Sequence, residues 1–144
     1  EHFRAFFHYY DVLMKGDSGL TRAEREMIVV AVSRINNCTY CTVAHGAALR
    51  ILSKNPVIAD QISANYRVAD LTPRQRAMLD FAIKVTERSG EIDGADFDRL
   101  RSHGFTDSDI WDIGAVAAFF NLSNRMANLA EMKPNREFYT MGRG

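Results

Sequence analysis

Two cysteines three positions apart, with a histidine four positions beyond the second, form the most reactive grouping in this chain: Asn36-Asn37-Cys38-Thr39-Tyr40-Cys41-Thr42-Val43-Ala44-His45. Asparagine tolerates the left-handed conformation that closes helices, so Asn36-Asn37 reads as the end of one helix. The run from Thr39 to Leu49 reads as the next. Cys38 then sits at or just before a helix N-terminus and Cys41 in its first turn, where the positive end of the helix dipole favours thiolate over thiol. His45 lies one turn beyond Cys41 on the same face. A thiol, a second thiol to trap its oxidised form and a base within reach suit redox chemistry.

The same residue types allow other uses. Free cysteine often acts as a small buried hydrophobe. Two cysteines and a histidine are also zinc-ligand types, but a structural zinc site wants a fourth ligand and usually a second pair. The chain has no third cysteine, and His2, His8 and His103 show no paired spacing. The c-type haem pattern fails because Thr42, not histidine, follows Cys41. No metal and no cofactor is expected.

One upstream carboxylate belongs with the thiols. Glu24 suits the acidic first turn of a helix, whereas Glu26 leads directly into Met27-Ile28-Val29-Val30-Ala31-Val32. An acid abutting so apolar a run is expected to be partly desolvated, which raises a carboxyl pKa and suits it to moving protons near neutral pH.

The elements that must position these groups are helical throughout. His2 to Met14 carries Phe3, Phe6, Phe7, Tyr10, Leu13 and Met14 at spacings of three and four, an apolar stripe for core or subunit interface. Gly16-Asp17-Ser18-Gly19 is a turn. Thr21-Arg22-Ala23-Glu24 is a capping box opening a helix to about Asn36. The chain breaks at Ser53 to Pro56, and a short helix to about Ala64 follows. Leu71-Thr72-Pro73-Arg74-Gln75-Arg76-Ala77-Met78 repeats Leu20-Thr21-Arg22-Ala23-Glu24-Arg25-Glu26-Met27 at a distance of 51 residues. Ala77 takes the place of Glu26, which suggests an internal helical duplication with chemistry kept in one half. Ser89-Gly90 ends that later helix, Asp93 to His103 forms another before Gly104, and Thr106-Asp107-Ser108-Asp109 caps a last helix from Ser108 to about Glu131. The last helix is apolar nearly all round, so its own domain or a partner must bury it. Its Asn121, Asn124 and Arg125 are expected to bond across an interface or line a pocket. No segment alternates with period two. The expected fold is one all-α domain over residues 1–144, with six to seven helices.

Composition narrows the function further. A chain of 144 residues can bury a real core. Lys plus Arg equals Asp plus Glu at 18 each, which gives no attraction to nucleic acid or an anionic membrane. No apolar run reaches membrane-span length and no signal peptide is visible, so the cytoplasm is the default location. Two closely spaced cysteines do not make an extracellular disulfide framework.

The stretch from Leu20 to Leu49, with Glu26, Cys38, Cys41 and His45 at their spacings, resembles the alkylhydroperoxidase D-like group of the carboxymuconolactone decarboxylase superfamily. Asn-Asn-Cys-Thr-Tyr-Cys, together with Pro134-Asn135-Arg136-Glu137-Phe138-Tyr139, is similar to a branch called peroxidase-related. The resemblance implies that Cys41 attacks peroxide and becomes sulfenic acid, that Cys38 supplies a proton and then resolves it to a disulfide, and that His45 and Glu26 relay protons. Peroxidases of this group carry a histidine immediately before the attacking cysteine, where this chain has Tyr40. A phenol, with a pKa of about 10, is a much poorer base than imidazole at neutral pH, a departure that bears on peroxidase rate and leaves the dithiol complete. Lactone decarboxylation is not implied, because members with that activity lack the cysteine pair. The resemblance further implies a hydroperoxide substrate, an external dithiol reductant such as a lipoyl protein, a homo-oligomer (trimer or hexamer), and further sequence ahead of Glu1.

Two function classes stand at this point. One is an enzyme, a thiol-dependent peroxidase or a dithiol–disulfide oxidoreductase. The other is non-catalytic, a zinc-stabilised helical module or a redox-sensing interaction protein. No substrate-binding residue is assigned.

Overall fold

The computed structural model describes residues 1–144 and contains no strand. Seven α-helices follow one another: α1 His2–Lys15, α2 Arg22–Ile35, α3 Thr39–Ser53, α4 Ile58–Asn65, α5 Pro73–Glu87, α6 Gly94–Ser102 and α7 Asp107–Leu129. Short 3-10 turns lie at Tyr66–Val68, Ser89–Glu91 and Arg136–Tyr139. The all-α fold expected from the sequence is the fold observed.

Helix starts are fixed by side chains that satisfy the otherwise unpaired first-turn amides. Thr21 Oγ1 accepts from the Glu24 amide at 3.0 Å, and Glu24 Oε1 accepts from the Thr21 amide at 3.1 Å. Reciprocal boxes open α5 at Thr72 and Gln75, α6 at Asp93 and Asp96, and α7 at Thr106 and Asp109. The repeated openings of α2 and α5 are also equivalent in one tertiary detail. Arg25 donates to the Leu20 carbonyl at 3.1 and 3.3 Å, and Arg76, 51 residues later, donates to the Leu71 carbonyl at 3.4 Å.

Helix α2 is the centre of the molecule. It packs against α3, α4, α5 and α7, with lesser contact to α1. Ile28, Val29, Val30 and Val32 are fully buried, each worth roughly 1.5–3 kcal/mol relative to exposure. A helix enclosed on so many sides must be apolar nearly all round, which is why no clean stripe marks it in the sequence. Any polar side chain on its inner length is therefore buried as well.

Helix α7 is covered by its own domain along only part of its surface. Ile113, Val116, Ala117 and Phe120 are buried, but Trp111 and Leu129 are 76% and 77% exposed, and Leu122 and Met126 are half exposed. Its polar residues find partners within the chain. Asn36 Nδ2 donates to Asn121 Oδ1 at 2.9 Å and to Asn124 Oδ1 at 3.1 Å, and Asn124 Nδ2 donates to Ser33 Oγ at 2.9 Å. Arg125 donates to the carbonyl and side chain of Asn121. The cause is that this stripe of α7 faces the polar C-terminal end of α2, where Ser33 and Asn36 supply partners, and Thr86 of α5, whose hydroxyl accepts from Asn121 Nδ2 at 3.2 Å.

Candidate active site

The turn between α2 and α3 is made without a linker. Asn37 has φ 53°, the left-handed conformation expected of it. Its amide donates to the Arg34 carbonyl at 3.1 Å, and the Cys38 amide donates to the Ser33 carbonyl at 3.0 Å. Those two bonds are the Schellman pattern that satisfies the last carbonyls of a helix. Cys38 is at once the residue that completes this closure and the N-cap of α3, its Sγ accepting from the Cys41 amide at 3.2 Å. The Asn36 side chain ties the turn to α7 through Asn121 and Asn124, and Asn128 Nδ2 donates to the Asn36 carbonyl at 3.2 Å. The first thiol is thus held by both helices and braced by a third.

Cys38 and Cys41 are joined as a disulfide, with Cα atoms 5.4 Å apart, inside the usual range for such bonds. Both are buried, packed with Ala127 of α7, and the partly buried Tyr40 packs against them. The Tyr40 ring in turn meets Phe138 edge-on at 6.4 Å. That contact gives the Pro134–Tyr139 segment a role as a brace for the residue preceding Cys41. Arg50 of α3 holds the same segment by donating to the Phe138 carbonyl at 2.7 Å and the Met141 carbonyl at 2.8 Å.

One turn beyond Cys41, His45 Nδ1 lies 2.6 Å from Glu26 Oε2. The Glu26 side chain is 8% exposed and that of His45 15%. Against a carboxylate acceptor, Nδ1 carries the proton, and Nε2 is left for other exchange. Phe120 meets the imidazole edge-on at 5.0 Å, and Tyr10 lies 6.3 Å from it and 6.2 Å from Phe120. Burial, and next the nearby Glu26 carboxylate, push the Tyr10 phenol up to about 12, so it is a neutral hydroxyl at physiological pH.

Cys41, His45, Tyr10 and Tyr40 all line one open groove of about 1790 Å³, whose other walls are largely apolar side chains of α1 and α7. Of the four residues singled out in the sequence, Cys41 and His45 line the groove, Cys38 stands behind Cys41 in the disulfide, and Glu26 reaches the site through His45. Tyr10 and Phe120 were not among them. Tyr10 stands in the sequence only as one member of an aromatic stripe, and only the docking of α1 against α7 and α2 sets it beside His45. No group of three or more His, Cys, Asp or Glu side chains converges where a metal ion could be held. No helix is long and apolar enough to cross a membrane.

The family model described as carboxymuconolactone decarboxylase family matches residues 1–84. A comparison with curated proteins returned no match. Among solved structures, the alkylhydroperoxidase AhpD core of an uncharacterized peroxidase-related protein from Ralstonia eutropha JMP134 superimposes with TM-score 0.98 at 63% identity, covering 99% of this chain and 75% of that one. An uncharacterized peroxidase-related protein from Silicibacter sp. TM1040 gives TM-score 0.95 at 54% identity, covering 97% and 73%. A protein of unknown function from Agrobacterium tumefaciens, described in connection with AhpD antioxidant defence, gives 0.83 at 26%, covering 94% and 91%. With more than half of its length matched by the family model, and with similarity to AhpD-type structures over nearly all of it, the chain belongs to the alkylhydroperoxidase D-like group of the carboxymuconolactone decarboxylase family.

Proposed function

We propose that this protein is a thiol-dependent peroxidase that reduces hydroperoxides through a Cys38–Cys41 dithiol/disulfide cycle. The observation that carries the reading is the contact of the two cysteine sulfurs at the start of α3, one turn from the Glu26–His45 pair. The relatives described as peroxidase-related or linked to antioxidant defence support the same class.

The cycle starts from the dithiol. His45, its ring held by Glu26, takes the proton of Cys41, and the N-terminus of α3 stabilises the thiolate. The thiolate sulfur attacks the terminal peroxide oxygen and the O–O bond breaks. The alkoxide leaves as alcohol by taking a proton from the site, and Cys41 becomes sulfenic acid. The Cys38 sulfur then attacks Cys41 Sγ, the S–O bond breaks, and water departs. An external dithiol returns both cysteines to the reduced state by exchange, becoming a disulfide itself. A lipoyl-bearing protein is the kind of reductant we expect, and the cytoplasm, where thiols are kept reduced, the compartment. We also expect the enzyme to act as a homo-oligomer.

A second reading is a dithiol–disulfide oxidoreductase or redox sensor with slow peroxide turnover. It is favoured by Tyr40, a weak base at the position preceding the attacking cysteine. Peroxide consumption with a panel of dithiol reductants separates the two. Turnover with at least one dithiol supports the peroxidase; disulfide exchange without peroxide turnover supports the second reading.

A further inference from the structure

The half of the chain without cysteines has its own cleft, of about 500 Å³, between α5, α6 and the 3-10 turn Tyr66–Val68. That volume is in the range of small-ligand sites. Ala77 lines it, at the repeat position where the cysteine-bearing half has Glu26. The charged side chains around it are unbalanced. Arg67, Arg76, Lys84, Arg88 and Arg99 face only Asp80 and Asp96, although the chain as a whole carries 18 charges of each sign.

The hydrogen bonds show which charges are spoken for. Lys84 Nζ donates to both oxygens of Asp96, at 2.8 and 3.1 Å, and Arg99 pairs with Asp80 at 3.0 Å. Asp80 also accepts from the Tyr66 hydroxyl at 2.6 Å. Both carboxylates are therefore engaged. Arg76 is held by the backbone: its Nη atoms donate to the carbonyls of Tyr66, Arg67, Ala69 and Leu71, and no carboxylate neutralises it. Arg67 has no carboxylate partner, and Arg88 meets only Glu91, at 3.6 Å between two well-exposed side chains. Five cations against Asp80, Asp96 and the Glu91 beside Arg88 leave an excess of two positive charges around a concave, partly apolar space, which focuses a field that attracts an anion.

We propose that this cleft binds a small phosphate-type oxyanion, with Arg67 and Arg88 as its direct donors and Arg76 as a fixed positive charge in the wall. Guanidinium groups match phosphate oxygens in pairs of parallel hydrogen bonds. Arg67, beside the Tyr66 hydroxyl, and Arg88, loosely paired with exposed Glu91, are the two guanidinium groups not committed to a cleft carboxylate or to backbone carbonyls, while Lys84 and Arg99 stay bound to their carboxylates. The site is independent of the thiol chemistry and lies on the other half of the repeat.

The test is calorimetric titration of the full chain with inorganic pyrophosphate at constant ionic strength. Three proteins are compared: the unaltered chain, Arg67→Ser with Arg88→Ser, and Arg4→Ser with Lys133→Ser. The last pair removes two positive charges from exposed positions elsewhere. The proposal expects saturable one-site binding that is at least about tenfold weaker in the cleft variant and unchanged in the control pair. Absence of saturation, or equal weakening in both variants, means an adventitious ion only and overturns it. Succinate binding as tightly as pyrophosphate would also overturn it, because the cleft would then select dicarboxylates.

Discussion

Glu26 Oε2 and His45 Nδ1 meet at 2.6 Å across the α2–α3 interface, 19 residues apart in sequence. Neither side chain has another protein hydrogen-bond partner, and both are largely shut from water. A buried carboxylate is costly unless paired, so each of these residues accounts for the presence of the other. The pair also settles which imidazole nitrogen faces Glu26 and which is available for exchange.

If that pair ionises Cys41, Glu26→Gln and His45→Ala should each slow the reaction with peroxide near neutral pH. Positioned general bases contribute about a hundredfold or more, whereas a helix terminus contributes about 0.3–1 kcal/mol at exposed sites. Stopped-flow measurement of thiol loss should therefore show a drop of several tens-fold. A drop of only a few-fold would assign the activation to the α3 N-terminus instead. Gln keeps the shape of Glu26, so circular dichroism of that variant should be unchanged.

Cys38 has two tasks, and substitutions can separate them. Serine at this position keeps an N-cap acceptor for the Cys41 amide but cannot resolve a sulfenic acid. Cys38→Ala removes both and should cost a further 0.5–2 kcal/mol or so of helix stability. Mass spectrometry after stoichiometric peroxide should show loss of two hydrogens within the unaltered chain. In Cys38→Ser it should show oxygen added at Cys41, progressing to sulfinic acid. Intermolecular dimers as the main product of the unaltered chain would remove the resolving role.

Tyr10 makes a prediction about alkaline stability. Its phenol titrates at about 12 in the folded chain against 10 for the ordinary group. Below pH 10 both folded and unfolded forms hold the proton and nothing is lost. Between about pH 10 and 12 the unfolded chain ionises first, so folding stability falls as pH rises. Urea melts of Tyr10→Phe should show a shallower loss than the unaltered chain across that window. Parallel curves would mean that the phenol is not held neutral by its surroundings.

Asn124 is fully buried, with its amide on Ser33 and its carbonyl oxygen taking the Asn36 amide. Asn124→Ala strands the Ser33 hydroxyl and loosens the turn that carries Cys38. A loss of about 1–3 kcal/mol in urea melts is expected from the unpaired buried groups. Peroxide reactivity should fall with it, since the turn sets where the first thiol stands.

Trp111 and Leu129 project from α7, and Phe3 is 75% exposed on α1. That much apolar surface on a small domain predicts self-association. Light scattering at micromolar concentration should report a homo-oligomer, and Trp111→Glu should shift it toward monomer. A monomeric unaltered chain would reject the expectation.

The all-α architecture, the helix starts and the grouping of Cys38, Cys41 and His45 follow from the sequence because they are local. Capping boxes act over three residues, and Cys41 and His45 share a face by helix geometry alone. The asparagine closure before Cys38 is equally local, depending on one left-handed residue. Tertiary structure decided what depends on packing between distant segments. Glu26 could be suspected from the apolar run after it, but its contact with His45 required α2 to become the enclosed central helix. Tyr10 and Phe120 gained their places beside the imidazole only when α1 and α7 docked. Asn121 and Asn124, expected to bond across an interface or line a pocket, meet Ser33 and Asn36 at the end of α2 and Thr86 on α5, because a helix surface does not reveal which neighbour will cover it. Hydrophobic burial is non-directional, so the sequence of α7 established how much apolar surface needed cover, while the packed fold determined which of it was covered and by what.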